Sequence, residues 1–326
     1  MNDRWRIVFA RTGGPEVLER EELGSLSPGP NELLVRNEAV GLNFIDTYYR
    51  SGVYPLPLPS SLGNEGAGVV EAIGDAVTDL RAGDRIGYFA AGVGAYATHR
   101  LVAADKAVRL PESISVETAA AALLKGCTAE FLIERCAKVT AGDAVLVHAA
   151  AGGVGSILVP WLKAIGATVI AHAGSPDKAA KAKALGADHA LSCPMESLAA
   201  EVRGLTGGAG VRVSLDGVGA ASWQASLASV AGRGLIVTFG NASGPVPAFK
   251  ATDLLAAGSI FVTRPTLFDY TATVEEMRES ASRLFTMIES GTVQVQIGAR
   301  YALSDAAEAH RALEARETTG SVLLIP

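Results

Sequence analysis

The chain has 326 residues, 49% of them hydrophobic and 19% charged, enough apolar material for a large core of about two domains, which excludes the disordered and fibrous classes. Lys plus Arg number 28 against 34 Asp plus Glu, a net charge of −6. No basic stripe is visible, so the electrostatic footprint of a nucleic-acid or anionic-membrane binder is missing.

The N-terminus is charged early, with Asp3, Arg4 and Arg6, and lacks the long apolar core of a secretory signal. No run approaches the ~20 uninterrupted apolar residues of a membrane span; the richest, 141–170, is broken by glycines, Asp143, His148 and Lys163. Cys127, Cys136 and Cys193 are an odd number with no C-x-x-C pair. Neither a disulfide framework nor a structural zinc cluster is indicated, and reduced thiols in a cytoplasmic protein are expected.

Along the first 120 or so residues, short apolar runs at 32–36, 68–73, 84–88 and 107–110 alternate with turns at 28–30, 55–59 and 82–84. That texture predicts a small antiparallel β domain. From Ile114 it becomes helical, over 116–124 and on through Cys136. Strands are then expected at 144–149, 168–172, 189–191, 211–216, 234–239 and 259–263, and helices at 154–165, 176–185, 196–205 and 221–230. Strands apolar on both faces and joined by helices predict a doubly wound parallel sheet, so the fold class is α/β. The tail reads as a helix at 275–290, a strand at 293–297, a helix at 304–314 and a strand at 321–325. It lacks a complete sheet of its own and is expected to pack back on the N-terminal domain.

The strongest chemical signal is Ala149-Ala-Ala-Gly-Gly-Val-Gly155, between a predicted strand and a predicted helix. Against G-x-G-x-x-G, Ala150 replaces the first glycine while Gly152 and Gly155 keep their places. There the backbone must approach a pyrophosphate closely, and the helix offers its free N–H groups to the phosphates. The strand–turn–helix context is the one that the motif requires; the competing reading is an ordinary tight turn. NAD-binding units place an acid at the end of the second strand, about 20 residues on. Here His172-Ala-Gly-Ser-Pro-Asp-Lys178 ends the strand without one. Ser175 and Lys178 could meet a 2′-phosphate, which favours NADPH. Lys178 also reads as a solvated helix residue, and Asp177 as a helix-dipole partner.

The histidines at 99, 148, 172, 189 and 310 are dispersed, without metal-ligand spacing. His148 lies within the expected first strand and reads as a core histidine. No nucleophile elbow is present.

Gly41-Leu-Asn-Phe-Ile-Asp-Thr-Tyr48, Leu124-Lys-Gly126, the glycine turn, Phe239-Gly-Asn241, Val262-Thr-Arg-Pro265 and the ending Gly320-Ser-Val-Leu-Leu-Ile-Pro326 together resemble the bacterial NADPH:quinone oxidoreductases. This is the zinc-free, zeta-crystallin-like branch of the medium-chain dehydrogenases/reductases, and the resemblance spans nearly the whole chain. It implies a GroES-like catalytic domain, residues 1–124 with 266–326, and a Rossmann dinucleotide-binding domain at 125–265. It also implies a homodimer formed through the dinucleotide domains. Where zinc-dependent relatives carry a cysteine and a histidine ligand, this chain has Asn43 and Asn64.

Carried over by motif, Asn43 and Asp46 would lie near the nicotinamide ribose, and Thr128 near the same end of the cofactor. Gly152, Gly153, Val154 and Gly155 would hold the pyrophosphate, and Gly174, Ser175 and Lys178 the adenosine 2′-phosphate. Phe239, Asn241, Pro265 and Leu267 would line the nicotinamide slot, with Arg316 capping the cofactor. Cys193 stands where bacterial relatives place a tyrosine near that phosphate. Tyr48 is expected beside the quinone, donating to a carbonyl oxygen or stacking on the ring, with Tyr54 second; the alternative for both is packing.

Three activities are compatible with this reading. The first is reduction of a small quinone by NADPH. A second is reduction of a conjugated C=C in an enone, alkenal or enoyl thioester, which needs a proton donor and is separated by a substrate panel. The third is a protein that holds NADPH without turnover. RNA binding, which a salt-dependent gel shift would test, is poorly supported at a pI near 5.5.

Overall fold

A computed structural model of the protein describes residues 4–326. The chain begins with β1 (Trp5–Phe9), β2 (Glu19–Glu22), β3 (Glu32–Leu42), α1 (Phe44–Ser51) and β4 (Ser60–Ser61). β5 (Glu65–Ile73), β6 (Arg85–Tyr88), β7 (His99–Ala103) and β8 (Val108–Arg109) follow. Next come α2 (Val116–Glu130), continued by a π-helical turn at Phe131–Cys136, then β9 (Ala144–Val147), α3 (Gly155–Ile165), β10 (Thr168–His172) and α4 (Pro176–Ala184). β11 (His189–Leu191), α5 (Met195–Leu205), β12 (Val211–Asp216), α6 (Trp223–Ser229), β13 (Val230–Thr238), α7 (Ala251–Ala256) and β14 (Phe261–Thr263) continue the alternation. The tail holds α8 (Leu267–Tyr270), α9 (Val274–Glu289), β15 (Ile297–Ala302), α10 (Ala306–Glu314) and β16 (Ser321–Ile325).

The chain divides into two compact units. The first takes in the N-terminal part up to Cys127, Thr271–Glu289 and Val295–Pro326. Its main sheet runs β15-β16-β3-β5-β6-β8, with β7 also paired to β3, and a smaller sheet runs β2-β1-β4. β3 is the organiser: it pairs antiparallel with β5, β7 and β16 along its length. Its apolar side chains, Leu33, Val35, Val40 and Leu42, enter one core with Phe9, Leu62, Ile86 and Leu324. The pairing of Val322 with Leu42 brings the tail into the N-terminal sheet, as the incomplete strand set of the tail requires.

The second unit, Thr128–Tyr270 with Ser290–Gln294, is built on six parallel strands in the order β11-β10-β9-β12-β13-β14. This is the doubly wound order, in which the succession reverses beside the first strand. Leu146, Ile170, Val211 and Ile236 from the strands pack with Leu198, Val202 and Trp223 from the helices. No helix among the described residues is long and apolar enough to cross a membrane.

Three expectations need correction. The stretch from Phe44 to Ser51, in a region read as β, is a helix, because Asn43 and Asp46 cap its start and Gly52 at φ +83° ends it. The helical continuation expected through Cys136 is present, taking the form of a π-turn from Phe131. Its buried Glu130 is tied to Arg135 at 2.7 Å. The strand expected at 293–297 instead runs Ile297–Ala302, since its partner β16 begins at Ser321 and Ile297 lies opposite that residue. Finally, β9 ends at Val147, so His148 lies one residue past the strand.

Candidate active site

In the second unit the expected cofactor residues gather past the carboxyl ends of the parallel strands. The turn after β9 opens with Ala149 in the left-handed region, φ +50°, and Gly152 N–H donates back to Ala149 O at 2.8 Å. A Cβ at Gly155 would stand 2.4 Å from Ala149 O and 2.7 Å from Ala150 Cα, so no other residue fits without moving the turn. α3 starts there with no side chain capping its first N–H groups, the arrangement that receives an anion. After β10, open space surrounds the Cβ position of Gly174, and Ser175 Oγ caps α4 by accepting the Lys178 N–H. Asp177 lies in the first turn of α4. His172 is buried, its Nε2 2.9 Å from Cys193 O.

Phe239 follows β13, where its N–H donates to Asp216 O at 2.8 Å, and Asn241 O closes a turn by accepting the Gly244 N–H. Pro265 and Leu267 follow β14, and Thr128 is buried at the start of the unit. His148 is buried, as a core residue would be. Its Nε2 meets Ser226 Oγ at 2.9 Å, and Ser226 in turn donates to the buried Asp216; Nδ1 has no partner.

In the first unit, Asn43, Asp46, Asn64 and Glu65 form one buried cluster. Asp46 Oδ2 accepts from the Asn43 backbone N–H at 2.9 Å and from Tyr96 Oη at 3.2 Å; Oδ1 accepts from Asn64 Nδ2 at 2.9 Å. Asn43 Nδ2 donates to Glu65 Oε2 at 2.9 Å. The same carboxylate accepts the Leu124 N–H at 2.7 Å and pairs with the buried Lys125 at 3.2 Å. Gly41 keeps this cluster closed: a Cβ there would lie 2.3 Å from both Ala120 O and Glu65 Oε2.

The ring of Tyr48 on α1 meets that of Tyr54, past the helix end, edge to face at 5.3 Å, with Tyr49 5.9 Å from Tyr54. Arg316 is exposed at the end of α10, in the left-handed region at φ +60°. The residues that sequence reasoning missed are Tyr96, His310, Arg50 and Glu314, which extend the Asp46 cluster. His310 meets Tyr96 Oη at 3.0 Å and Arg50 Nη1 at 2.9 Å, and Arg50 Nη2 donates to Glu314 at 2.6 Å. Nothing in local spacing signals contacts between residues more than 200 positions apart.

Two family models match the chain: an alcohol dehydrogenase GroES-like domain over residues 29–112 and a zinc-binding dehydrogenase domain over 153–286. With the sheet order and the glycine turn, they define a medium-chain dehydrogenase/reductase, α/β with a GroES-like and a Rossmann domain. A Pseudomonas aeruginosa quinone oxidoreductase is 48% identical over 98% of this chain and 99% of its own. The crystal structure of a Pseudomonas syringae quinone oxidoreductase matches 99% of this chain and 100% of that one, at a TM-score of 0.96 and 49% identity. That of Escherichia coli quinone oxidoreductase complexed with NADPH does so over the same shares at a TM-score of 0.96 and 45% identity. The chain belongs to the quinone oxidoreductase family.

The buried cluster has opposed electrostatics. Burial, reinforced by the neighbouring Arg50 charge, pushes the His310 pKa from 6.5 down to about 3. Burial raises Asp46 from 3.8 to about 6 against the pull of its Asn43, Asn64 and Tyr96 hydrogen bonds and of Lys125. The stabilising contribution of His310 is complete above pH 6.5 and is lost as pH falls towards 3. That of Asp46 is complete below pH 3.8 and is lost as pH rises through 6. Between these limits the two slopes oppose each other. His310→Gln removes one of them, so relative to wild type the variant should gain about 1.4 kcal/mol per pH unit as pH falls from about 6 to about 4. Urea unfolding across that range measures the difference, and a flat one would mean that His310 titrates normally in the fold.

Proposed function

We propose that the protein is a zinc-independent NADPH:quinone oxidoreductase, with residues 1–124 and 266–326 as its catalytic domain and 125–265 as its dinucleotide-binding domain. The observation that carries the reading is the glycine turn at the carboxyl edge of the six-stranded sheet, in a chain whose full-length relatives at 48%, 47% and 45% identity are named quinone oxidoreductases. Reduction of conjugated C=C bonds is not favoured by those relatives.

The turn fits a dinucleotide: Gly152 and Gly155 keep Cβ atoms out of the cradle, and the uncapped start of α3 supplies N–H groups. In this reading Gly152, Gly153, Val154 and Gly155 hold the pyrophosphate. Gly174, Ser175 and Lys178 hold the 2′-phosphate, at a strand end that carries no acid to accept a 2′-hydroxyl. Asn43 and Asp46 serve the nicotinamide ribose, with Thr128 at the same end of the cofactor; Phe239, Asn241, Pro265 and Leu267 line the nicotinamide, and Arg316 caps the cofactor. When bound, NADPH supplies the hydride. The chain supplies placement, so most of the acceleration comes from proximity and orientation. Tyr48 donates its phenol hydrogen bond to a quinone carbonyl, and Tyr54, edge-on against it, fixes the ring.

Zinc independence is supported by the donor set. Asn43 and Asn64 turn their N–H groups onto the Glu65 and Asp46 carboxylates, and Lys125 supplies the compensating positive charge. A cation bound there would face those N–H dipoles and the ammonium. A homodimer through the dinucleotide domains is supported by the edge strand β14, where Phe261 is 63% exposed, and by Leu255 on α7, 68% exposed. A cytoplasmic location is supported by three free thiols.

Initial rates of NADPH oxidation with a small quinone and EDTA, against an enzyme-free blank, test the activity. Fast, chelator-resistant turnover is expected, slowed in Tyr48→Phe at unchanged NADPH affinity; NADPH binding without turnover would overturn the quinone assignment. Lys178→Ala should weaken NADPH binding much more than NADH binding, and equal losses would remove the phosphate role. Light scattering should give twice the chain mass, and Phe261→Arg with Leu255→Glu should return the monomer.

A further inference from the structure

The cofactor reading leaves Tyr96, His310, Arg50 and Glu314 without a task, yet they form a hydrogen-bonded chain that ends on Asp46. Its polarity is forced. The Arg50 guanidinium can only donate, so His310 Nδ1 accepts at 2.9 Å. The proton of the neutral imidazole is then on Nε2, which donates to Tyr96 Oη at 3.0 Å. The single phenol proton is left for Asp46 Oδ2, at 3.2 Å. Arg50 is anchored in turn on Gly13 O at 3.1 Å and on Glu314 at 2.6 Å. Arg50, Tyr96, His310 and Asp46 are all buried, so from Arg50 to Asp46 each link has one donor and one acceptor.

We propose that Tyr96 and His310 are positioning residues for NADPH: they hold the Asp46 carboxylate in one orientation and tie it to the tail segment that carries Arg316. The inference rests on the assignment of Asp46, Asn43 and Arg316 to the cofactor. Its physical content is that two segments far apart in sequence, the start of α1 and the end of α10, are set by one chain of hydrogen bonds. Arg316 lies two residues beyond Glu314, the outer end of that chain. The charged and titratable groups facing Asp46 are Tyr49 and Arg50 on its own helix, Glu65 through Asn43, Tyr96 on the segment before β7, Lys125 on α2, and His310 behind Tyr96. Of the three hydrogen-bond donors to the carboxylate, Tyr96 is the one oriented from the tail.

The test is NADPH affinity by fluorescence titration across pH, in wild type, Asp46→Asn, Tyr96→Phe, His310→Leu and His310→Gln. Tyr96→Phe keeps the ring but withdraws one donor from the carboxylate. The acid limb of binding should therefore move to higher pH, with affinity at neutral pH lowered by about 2- to 10-fold, the worth of one hydrogen bond. His310→Leu should weaken binding over a similar range. Glutamine can accept from Arg50 and donate to Tyr96 at once, so His310→Gln should recover most of the loss. Nitrogen-15 NMR of the histidines in the cofactor-free protein gives a readout independent of NADPH: the resonance absent from His310→Gln should be the neutral Nε2–H form between pH 5 and 8. A protonated or Nδ1–H form would overturn the polarity and the proposal. Variants that melt earlier but bind NADPH with wild-type affinity and pH dependence, while Asp46→Asn binds weakly, would sink the relay alone. Wild-type affinity in Asp46→Asn would sink the cofactor assignment of Asp46, and the relay with it.

Discussion

A carboxylate withdrawn from water sets the plan of the first unit. Asp46 sits fully buried on α1, where an unpaired ionised group would be too expensive to keep. Each donor that relieves this comes from a different place. The Asn43 N–H comes from the preceding residue of the helix cap, Asn64 from the approach to β5, and Tyr96 from the segment before β7. Satisfying one group therefore fixes where three chain segments converge. The same demand passes outward, because Tyr96 must itself be oriented, and the residue that orients it, His310, lies on α10. The tail is thus held to the N-terminal part by polar contacts in the interior as well as by the pairing of β16 with β3.

The second unit solves a different problem with different means. The edge proposed to face the cofactor is made mostly of backbone: a left-handed Ala149, a turn closed onto Ala149 O, and a helix start without a side-chain cap. Backbone constraints of this kind act over a few residues, and they leave a spacing in the sequence. That is why the strands at 168–172, 189–191 and 211–216 coincide with β10, β11 and β12, and why the glycine turn was legible in advance. Gly166 at φ +90° ends α3, so that boundary is locally encoded too.

The first unit was legible only in outline. Its strands could be read from alternation and turn residues, but α1 could not, because an eight-residue helix between β-rich stretches shows its caps and little else. The polar cluster was hidden for another reason. Its hydrogen bonds join positions 18, 50, 214, 260 and 264 apart. Asn43, Asp46 and Asn64 stood out through family motifs, while His310 was merely one of five scattered histidines. A contact across the whole chain has no period and no spacing; it becomes visible when β16 and α10 have been placed against β3 and α1.

This division of labour bears on how the two halves tolerate change. At Gly155 any side chain meets carbonyl oxygen and backbone carbon within 3 Å, so the constraint is steric and acts on every substitution alike. At Asp46 and His310 the constraint is electrostatic and directional. A substitution is accepted where it preserves the pattern of donors and acceptors, and rejected where it preserves only the volume. The opposed titrations of the two groups follow from the same geometry. Burial favours the neutral form of each; the donors around the carboxylate offset part of that, whereas the guanidinium facing the imidazole adds to it. His310 therefore stays neutral over the range in which an isolated histidine would change state, and the direction of its hydrogen bonds to Arg50 and Tyr96 is fixed over that range.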